Sequence, residues 1–238
     1  MSSRTPPIRA VVLLSGGLDS TTVLALATAA GRQVHALSFR YGQRHALELA
    51  CAARQAARME VRAHEVVDLG HVGRLVASAT SLVQGSPLDV PKDATPGAGA
   101  IPSTYVPARN TLFLAYALAW AEALDAREIW LGINALDYSG YPDCRPEFVA
   151  AFQKLADLAT RTGVEGRPIR LETPLLHMSK ADIVRAGHRL DVDYADTLSC
   201  YDPQVHGADA HACGRCDSCQ LRREGFAQAA LPDPTRYA

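Results

Sequence analysis

The length and composition of the chain are those of an ordinary globular protein. It has 238 residues, of which 48% are hydrophobic and 21% charged, and these values exclude a disordered chain, a collagen and a coiled coil. The formal net charge of −1 lacks the basic excess of proteins that wrap nucleic acid, so we expect no direct nucleic acid binding, with a local basic patch left open. No apolar run approaches the roughly 18 residues of a membrane helix, and Asp19 interrupts the short apolar stretch that a signal peptide would need. We therefore expect a cytoplasmic protein with no membrane partner.

Strand-like and helix-like runs alternate along the first two-thirds of the chain. This alternation predicts βαβ units, and therefore an α/β fold with a doubly wound parallel sheet and helices on both faces. In such sheets, ligands bind at the carboxyl ends of the strands. A segment rich in Pro and Gly over 85–107 is too long for a simple connection, and its position favours a lid over the site. The predicted strands cover 10–14, 34–39, 61–67 and 128–132, and the predicted helices cover 20–30, 45–58, 110–124, 147–161 and 179–190.

The first predicted strand is followed by the string SGGLDS at 15–20. Glycines in this place permit a positive φ and the close approach of a ligand, while the free N–H groups of the following helix favour an anion such as phosphate. The string is neither a Walker P-loop, because no Gly-Lys-Ser/Thr follows, nor the G-x-G-x-x-G of dinucleotide binders. A turn whose Ser or Asp only caps the helix stays open as an alternative. The whole string resembles the PP-loop of ATP pyrophosphatases, in which SGGxDS binds the phosphates of ATP.

Four of the six cysteines lie within twenty residues near the C-terminus. Three are spaced at intervals of three residues and a fourth lies thirteen residues upstream, a grouping that favours a metal over disulfides or free thiols. Four thiolates leave no open position, so a zinc ion bound there would be structural. An iron–sulfur cluster also uses four thiolates, and His206 or His211 could replace a thiol, so these alternatives stay open. The four candidate ligands are Cys200, Cys213, Cys216 and Cys219.

Further strings follow the loop in a fixed order. They are YGQRH at 41–45, VPARN at 106–110, DYSGYPDCRPEF at 137–148, TPL at 173–175 with Lys180 after it, SCY at 199–201 and CGRCDSC at 213–219. In this order, around a PP-loop, they closely resemble the 7-cyano-7-deazaguanine synthase (QueC) family of the PP-loop ATP pyrophosphatase superfamily. The resemblance implies an adenine nucleotide alpha-hydrolase-like domain over 8–195 and a zinc-binding segment over 196–238.

The resemblance also implies a reaction. ATP activates the carboxylate of 7-carboxy-7-deazaguanine, ammonia displaces the activating group to give an amide, and a second activation dehydrates the amide to the nitrile, in queuosine biosynthesis. It implies one zinc ion per chain and a homodimer. The chemistry needs no nucleophilic side chain, since adenylation supplies the leaving group. Charge neutralisation at the phosphates, normally with Mg²⁺, would be the main catalytic task.

Candidate site residues follow from the motifs and the predicted sheet. We expect Asp19 to orient the loop, meet the metal or cap the helix, and Lys180 to contact phosphate unless it is an ordinary exposed lysine. Arg109 could pair with phosphate or with the substrate carboxylate. His45 is a candidate proton shuttle, with a capping or buried histidine equally open. The predicted ATP-binding residues are Leu14, Ser15, Gly16, Gly17, Leu18, Asp19, Ser20, Thr21, Thr22, Val23 and Leu24.

The substrate loop is predicted to follow the strand over 128–132, at the ligand end of the sheet. A guanine-like ring offers N1–H and an amino group to a carboxylate, for which we expect Asp143 or Asp137, and a π face to a tyrosine. Ordinary packing of the tyrosines stays open. The predicted substrate-binding residues are Tyr41, Gln43, Arg44, Asp137, Tyr138, Tyr141, Asp143 and Arg145.

Three other functions compete with this interpretation. A PP-loop enzyme that adenylates a tRNA base and inserts sulfur would need a basic surface and usually a reactive cysteine pair, which the near-neutral charge disfavours. A relative that uses the same chemistry on a protein partner is disfavoured by the complete set of substrate-loop residues. A zinc-stabilised nucleotide-binding module without catalysis would not consume ATP in response to the substrate.

Overall fold

A computed structural model describes residues 6–45, 47–94, 101–136, 140–206 and 209–238. Its centre is a five-stranded parallel sheet in the order β3-β2-β1-β4-β5. A two-stranded antiparallel sheet, β6-β7, lies in the C-terminal segment over 196–238, called the tail. The strands are β1 (Arg9–Leu13), β2 (Gln33–Arg40), β3 (Ala63–Asp68), β4 (Glu128–Trp130), β5 (Arg170–Glu172), β6 (Gln204–His206) and β7 (Asp209–His211). The helices are α1 (Leu18–Ala29), α2 (Leu47–Arg58), α3 (Gly70–Val76), α4 (Arg109–Ala123), α5 (Pro146–Ala159), α6 (Arg161–Val164), α7 (Lys180–Arg189) and α8 (Asp217–Ala229).

Apolar side chains on both faces of the sheet create two cores. Along β1, Val11 packs into one core with Leu114 of α4, whereas Val12 packs into the other with Leu24 of α1. Successive side chains of a strand point to opposite faces, so a continuous apolar strand such as β1 requires helices on both sides. The predicted doubly wound parallel sheet with helices on both faces is therefore confirmed.

The strand order reverses direction at β1, and this reversal positions the site. From β1 the chain moves outward through β2 to β3, and it then returns to place β4 on the other side of β1. The connections that leave the carboxyl ends of β1 and β4 consequently diverge and leave a crevice between them. The loop at 14–17, between β1 and α1, enters this crevice.

Short elements account for most differences from the sequence-based expectation. The strand β5 and the helices α3 and α6 are absent from it, because elements of three to seven residues carry too little periodicity. The sequence predicts no strand between Cys200 and Cys213, but Gln204–His206 and Asp209–His211 pair as antiparallel strands. These two strands take up part of the spacing between the two cysteines.

The described residues of the segment over 85–107 contact both the loop after β2 and the tail. The Arg44 guanidinium donates to the carbonyl of Ser81 at 2.6 Å and to that of Leu88 at 2.5 Å. Farther along, the N–H of Asp93 donates to the carbonyl of Arg215 at 2.8 Å. The proposed lid role involves residues 95–100, which lie outside the described residues, and it stays a prediction. Among the residues that the structure describes, no helix is long and apolar enough to span a bilayer.

Candidate active site

The glycine loop between β1 and α1 is held in a conformation that only glycine accommodates. Gly16 has a φ of +86°, and a Cβ on it would lie 2.0 Å from the carbonyl oxygen of Glu48. Gly17 precedes the first turn of α1 without a side-chain cap. The first turn of α1 and the positive end of its helix dipole therefore face the crevice, which suits an anion.

Two serine hydroxyls fix the shape of this loop. The Ser20 hydroxyl donates to the carbonyl of Gly17 at 3.1 Å and accepts from the N–H of Ser15 at 3.1 Å. The hydroxyls of Ser15 and Ser20 lie 2.9 Å apart. From the tail, Ser199 Oγ accepts from the N–H of Leu18 at 3.1 Å. The loop is thus ordered by its own hydroxyls and by a residue of the tail.

Lys180 pairs with Asp19 at the opening of α1. Its Nζ lies 2.7 and 2.9 Å from the two Asp19 carboxylate oxygens. Lys180 is 8% exposed, so it is not an ordinary surface lysine. It begins α7, as predicted. Lys180 therefore places a positive charge beside the glycine loop, compensated in this structure by Asp19.

A cavity of about 230 Å³ opens beside the loop. It extends from the glycine loop across the carboxyl ends of β1, β2 and β4 to the start of α4 and the loop before α5. From the predicted site it contains Leu14, Ser15, Gly17, Leu18, Asp19, Ser20, Tyr41, Arg109 and Tyr141. The four other predicted ATP-binding residues that follow in α1, Thr21, Thr22, Val23 and Leu24, are buried in the body of the protein.

Arg109 supplies the positive charge at the far end of the cavity. It stands at the first position of α4, and its guanidinium carbon lies 5.9 Å from the centre of the Tyr41 ring. Burial opposes its charge, but the neighbouring Tyr41 and Asp143 raise its pKa. Across the cavity, the Tyr141 hydroxyl lies 2.6 Å from the Thr104 hydroxyl. A fixed cation flanked by two aromatic rings can hold a flat ligand that carries a negative group.

Glu48 and Ser199 line the same cavity and were missed by the sequence analysis. Glu48 lies in the first turn of α2, and burial raises its pKa to about 7, against the effects of Arg109 and of a hydrogen bond from Gln43. Glu48 could have been predicted from the sequence. It follows the YGQRH string by three residues, in a helix that begins at the carboxyl ends of the strands. Ser199 lies in the string SCY, of which only the cysteine was given a role.

Several predicted substrate residues have structural partners instead. Gln43 is buried, and its side chain bonds the N–H of Tyr41 at 2.8 Å and Glu48 Oε1 at 3.3 Å. The Asp143 carboxylate accepts from the N–H of Asn110 at 3.0 Å and thereby caps α4. Arg44, Asp143 and Arg145 are not among the cavity residues, and Arg145 is exposed. Asp137 and Tyr138 lie outside the described residues.

His45 lies beside the tail rather than in the cavity. Burial lowers its pKa, while the backbone of Tyr201 and of Cys200 acts in the opposite direction. Its Nδ1 is buried without a hydrogen-bond partner among the described residues. The position therefore fits a neutral, packed histidine, and a proton-shuttle role stays a prediction.

The four tail cysteines converge as the spacing predicted. The sulfur atoms of Cys200, Cys213, Cys216 and Cys219 all lie within 4.8 Å of one another. Backbone N–H groups donate to two of them: Cys213 N–H to Cys200 Sγ at 3.2 Å, and Cys216 N–H to Cys213 Sγ at 3.3 Å. Such bonds stabilise sulfur ligands of a metal ion. Burial opposes the charge of nearby Lys92, but its hydrogen bond to Asp202 and its contact with Cys213 together raise the Lys92 pKa. The donor set therefore fits a metal ion, and the predicted cluster is confirmed.

The fold and site define an α/β protein with a glycine loop at the switch point of its sheet, a cavity beside that loop and a four-cysteine cluster. The chain belongs to the QueC family, whose model, described as "Queuosine biosynthesis protein QueC", matches residues 9–230. It is 56% identical over 230 residues to 7-cyano-7-deazaguanine synthase of Saccharophagus degradans (strain 2-40 / ATCC 43961 / DSM 17024), covering 97% of this chain and 98% of that protein.

A second relative and a solved structure are similar to the chain. The 7-cyano-7-deazaguanine synthase of Thiobacillus denitrificans (strain ATCC 25259 / T1) is 58% identical over 229 residues, covering 96% of this chain and 98% of that protein. The structure of NMN synthetase from Francisella tularensis has a TM-score of 0.45 at 17% identity, covering 78% of this chain and 62% of that chain.

Proposed function

We propose that the chain is a 7-cyano-7-deazaguanine synthase, which converts 7-carboxy-7-deazaguanine and ammonia to the nitrile with ATP. The observation that carries this proposal is the single cavity that joins the glycine loop to Arg109. One end suits phosphates and the other suits a flat acid, so the carboxylate can approach the nucleotide. Family membership and relatives of that name at 56% and 58% identity support the choice of substrate.

The phosphate end would hold ATP through the first turn of α1. Backbone N–H groups of that turn and the hydroxyls of Ser15 and Ser20 are donors for phosphate oxygens. Mg²⁺ would neutralise charge on the phosphates, and the Asp19 carboxylate, in the first turn of α1 and in the cavity, would be an oxygen ligand for it. If Asp19 turns toward the magnesium ion, Lys180 becomes available to the phosphates. The Asp19–Lys180 pair would then exchange partners when nucleotide binds.

The opposite end would hold the deazapurine. Arg109 presents a planar fork that matches a carboxylate, and Tyr41 and Tyr141 border the same space as candidates for the ring face. Gln43 and Arg44 would act by holding the loop after β2 in place, since their side chains bond neighbouring chain segments. Asp143 would support the site through its cap on α4. Asp137, Tyr138 and Arg145 are proposed as contacts to the edge of the ring from the loop before α5.

The reaction follows from the chemistry of a carboxylate, which is a poor electrophile until it carries a good leaving group. Adenylation by ATP releases pyrophosphate, ammonia displaces AMP to give the amide, and a second ATP drives its dehydration. No cysteine is needed as a nucleophile. Cys144 lines the cavity, but burial raises the pKa of its thiol to about 12, so it stays protonated and unreactive.

The tail would act as a metal-binding segment over 196–238 that completes the site. Four thiolates suit one Zn²⁺ per chain, which when bound would cross-link the segment and leave no position open for substrate. Cys200 directly follows Ser199, whose hydroxyl accepts from the glycine loop. The metal would therefore hold Ser199 and Tyr201 at the cavity without taking part in the chemistry.

Assembly and location are proposed from the family. A homodimer would cover apolar side chains on α5 and α6, where Leu158 is 80% and Val164 77% exposed. A cytoplasmic enzyme fits four free thiols that are positioned for a metal. Light scattering of the purified protein is expected to give twice the mass of the chain.

The test is product formation by the purified protein. Incubation with 7-carboxy-7-deazaguanine, ATP, Mg²⁺ and ammonium salt is expected to give the nitrile by mass spectrometry, with AMP released only when the acid is present. Omission of ammonia should leave the acid without amide or nitrile. An ATP turnover rate that is the same with and without 7-carboxy-7-deazaguanine would refute the proposal.

Variants separate this activity from a contaminant. Ser20→Ala removes the hydroxyl that joins Ser15 to Gly17 and is expected to abolish product formation. Ser78→Ala changes an exposed serine and should leave the rate unchanged. Retention on heparin at moderate salt would instead favour a tRNA-modifying enzyme.

A further inference from the structure

Glu48 is fixed beside the glycine loop by the backbone of α2. Its carbonyl oxygen packs against Gly16 so closely that a Cβ there would lie 2.0 Å away. The side chain lines the cavity that contains Ser15 and Arg109. Glu48 therefore places a carboxylate in the same cavity as the glycine loop and Arg109.

The surroundings of this carboxylate keep it available for proton exchange. Gln43 donates to Glu48 Oε1 at 3.3 Å. Burial is the main influence on the pKa of Glu48 and raises it to about 7, whereas Arg109 and the Gln43 hydrogen bond act to lower it. Tyr41 and Cys51 are the other titratable groups that interact with it among the described residues. A pKa near neutrality is the property expected of an efficient proton acceptor.

The proposed reaction requires three protons to leave nitrogen. Attack of ammonia on the acyl adenylate forms the C–N bond and breaks the C–O bond to AMP, and one N–H proton is released. In the second half, the amide oxygen bonds to the α-phosphorus and expels pyrophosphate, while nitrogen loses one proton. The second N–H proton then leaves as the C–O bond to AMP breaks and the C≡N bond forms.

Given the proposed function, on which this inference rests, we infer that Glu48 is the catalytic base that accepts these protons from nitrogen. It lies in the cavity, carries no salt bridge in the described part of the chain, and returns each proton to solvent between steps. His45 lies outside the cavity, and the Cys144 thiol is protonated, so neither competes for the role. Asp19 is engaged by Lys180 at the opposite end.

The test measures two reactions of Glu48→Gln in the full-length holoprotein. The first is acid-dependent exchange of pyrophosphate with ATP, which reports adenylation and needs no proton from nitrogen. The second is nitrile formation from the amide supplied as substrate. The glutamine can still accept the Gln43 hydrogen bond, so the fold should be preserved. We expect the turnover number of the second reaction to fall by at least tenfold more than the exchange rate, on the order of 100-fold by the usual contribution of a general base.

Controls make the result specific. Glu48→Asp retains a carboxylate and is expected to restore part of the nitrile rate. Glu60→Gln, an exposed glutamate just after α2, should match the wild type in both reactions. The inference is overturned if the fold-decrease that Glu48→Gln causes in the nitrile rate exceeds its fold-decrease in the exchange rate by less than tenfold. If the wild-type protein makes no nitrile, the proposed function has failed instead.

Discussion

Replacing Lys180 by methionine tests whether the Asp19–Lys180 pair holds the glycine loop. The pair is nearly enclosed, since the side chains are 9% and 17% exposed. Removing one partner of a buried pair leaves an uncompensated charge and costs about 3–5 kcal/mol; with some solvent reaching Asp19, we expect about 3 kcal/mol. Methionine keeps most of the Lys180 stem, against which Gly225 packs. The loss therefore reports the charge rather than the packing.

Thermal unfolding at pH 7 measures this effect. A chain of 238 residues changes its melting temperature by about 2 °C per kcal/mol, so Lys180→Met should melt about 6 °C below the wild type. Lys154→Met, which changes an exposed lysine on α5, is the matched control and should melt with the wild type. Acid-dependent pyrophosphate exchange should also fall sharply in Lys180→Met, because the proposed phosphate contact is lost.

The double variant Asp19→Asn/Lys180→Met identifies the cause. Without the Asp19 charge nothing is left unpaired, so the double variant should recover most of the lost stability while remaining inactive. If Lys180→Met melts within 1 °C of the wild type, or if the double variant is no more stable than the single one, the unpaired carboxylate is not the source of the cost.

Three other perturbations have defined outcomes. Gly16→Ala should destabilise the fold by several kcal/mol, because its Cβ would meet Glu48, whereas Gly31→Ala, with a φ of +72° and open space around it, should cost only about 1 kcal/mol in urea unfolding. Chelation of the bound metal should expose the tail to limited proteolysis and also weaken ATP binding by calorimetry, since Ser199 loses its anchor; intact protection after metal loss would contradict this. Because burial raises the Glu48 pKa to about 7, the folded state binds that proton more tightly than the unfolded state, and stability is lost as the pH rises from about 4.5 to 7. Glu48→Gln should therefore be more stable than the wild type at pH 8, by about 3 kcal/mol in denaturant titrations, with no difference near pH 4.5.

The parts of the site that the sequence predicts are those that depend on neighbours in the chain. The apolar run of β1 and the SGGLDS string are adjacent, so strand, turn and helix could be predicted together with their place in the sheet. The cysteine cluster was predictable for the same reason, since three ligands share one short loop. The position of Tyr41 required only the rule that parallel strands bring their carboxyl ends to one edge, whereas Arg109 was a candidate because of its motif and its planar charged group.

The motif strings did not separate residues that line the cavity from residues that support the loop. In YGQRH, Tyr41 lines the cavity, while Gln43 and Arg44 turn inward and bond the chain. In the string at 137–148, Tyr141 lines the cavity and Asp143 caps α4. Both kinds of residue lie on the same loops, and only the direction of the side chain distinguishes them. That direction depends on contacts with segments that are distant in the sequence.

The long-range contacts of the tail explain why the cysteine cluster lies so near the glycine loop. Ser199 precedes the first cysteine ligand and accepts from Leu18, while the N–H of Leu198 donates to the carbonyl of Gly16 at 3.0 Å. If the remaining N–H groups of the first turn bind phosphate as proposed, the loop cannot also use them to hold itself in place. The tail supplies the missing hydrogen bonds, and a metal would fix the tail. A structural metal that takes no part in the chemistry would therefore still be required for nucleotide binding, because it holds the residues that hold the loop.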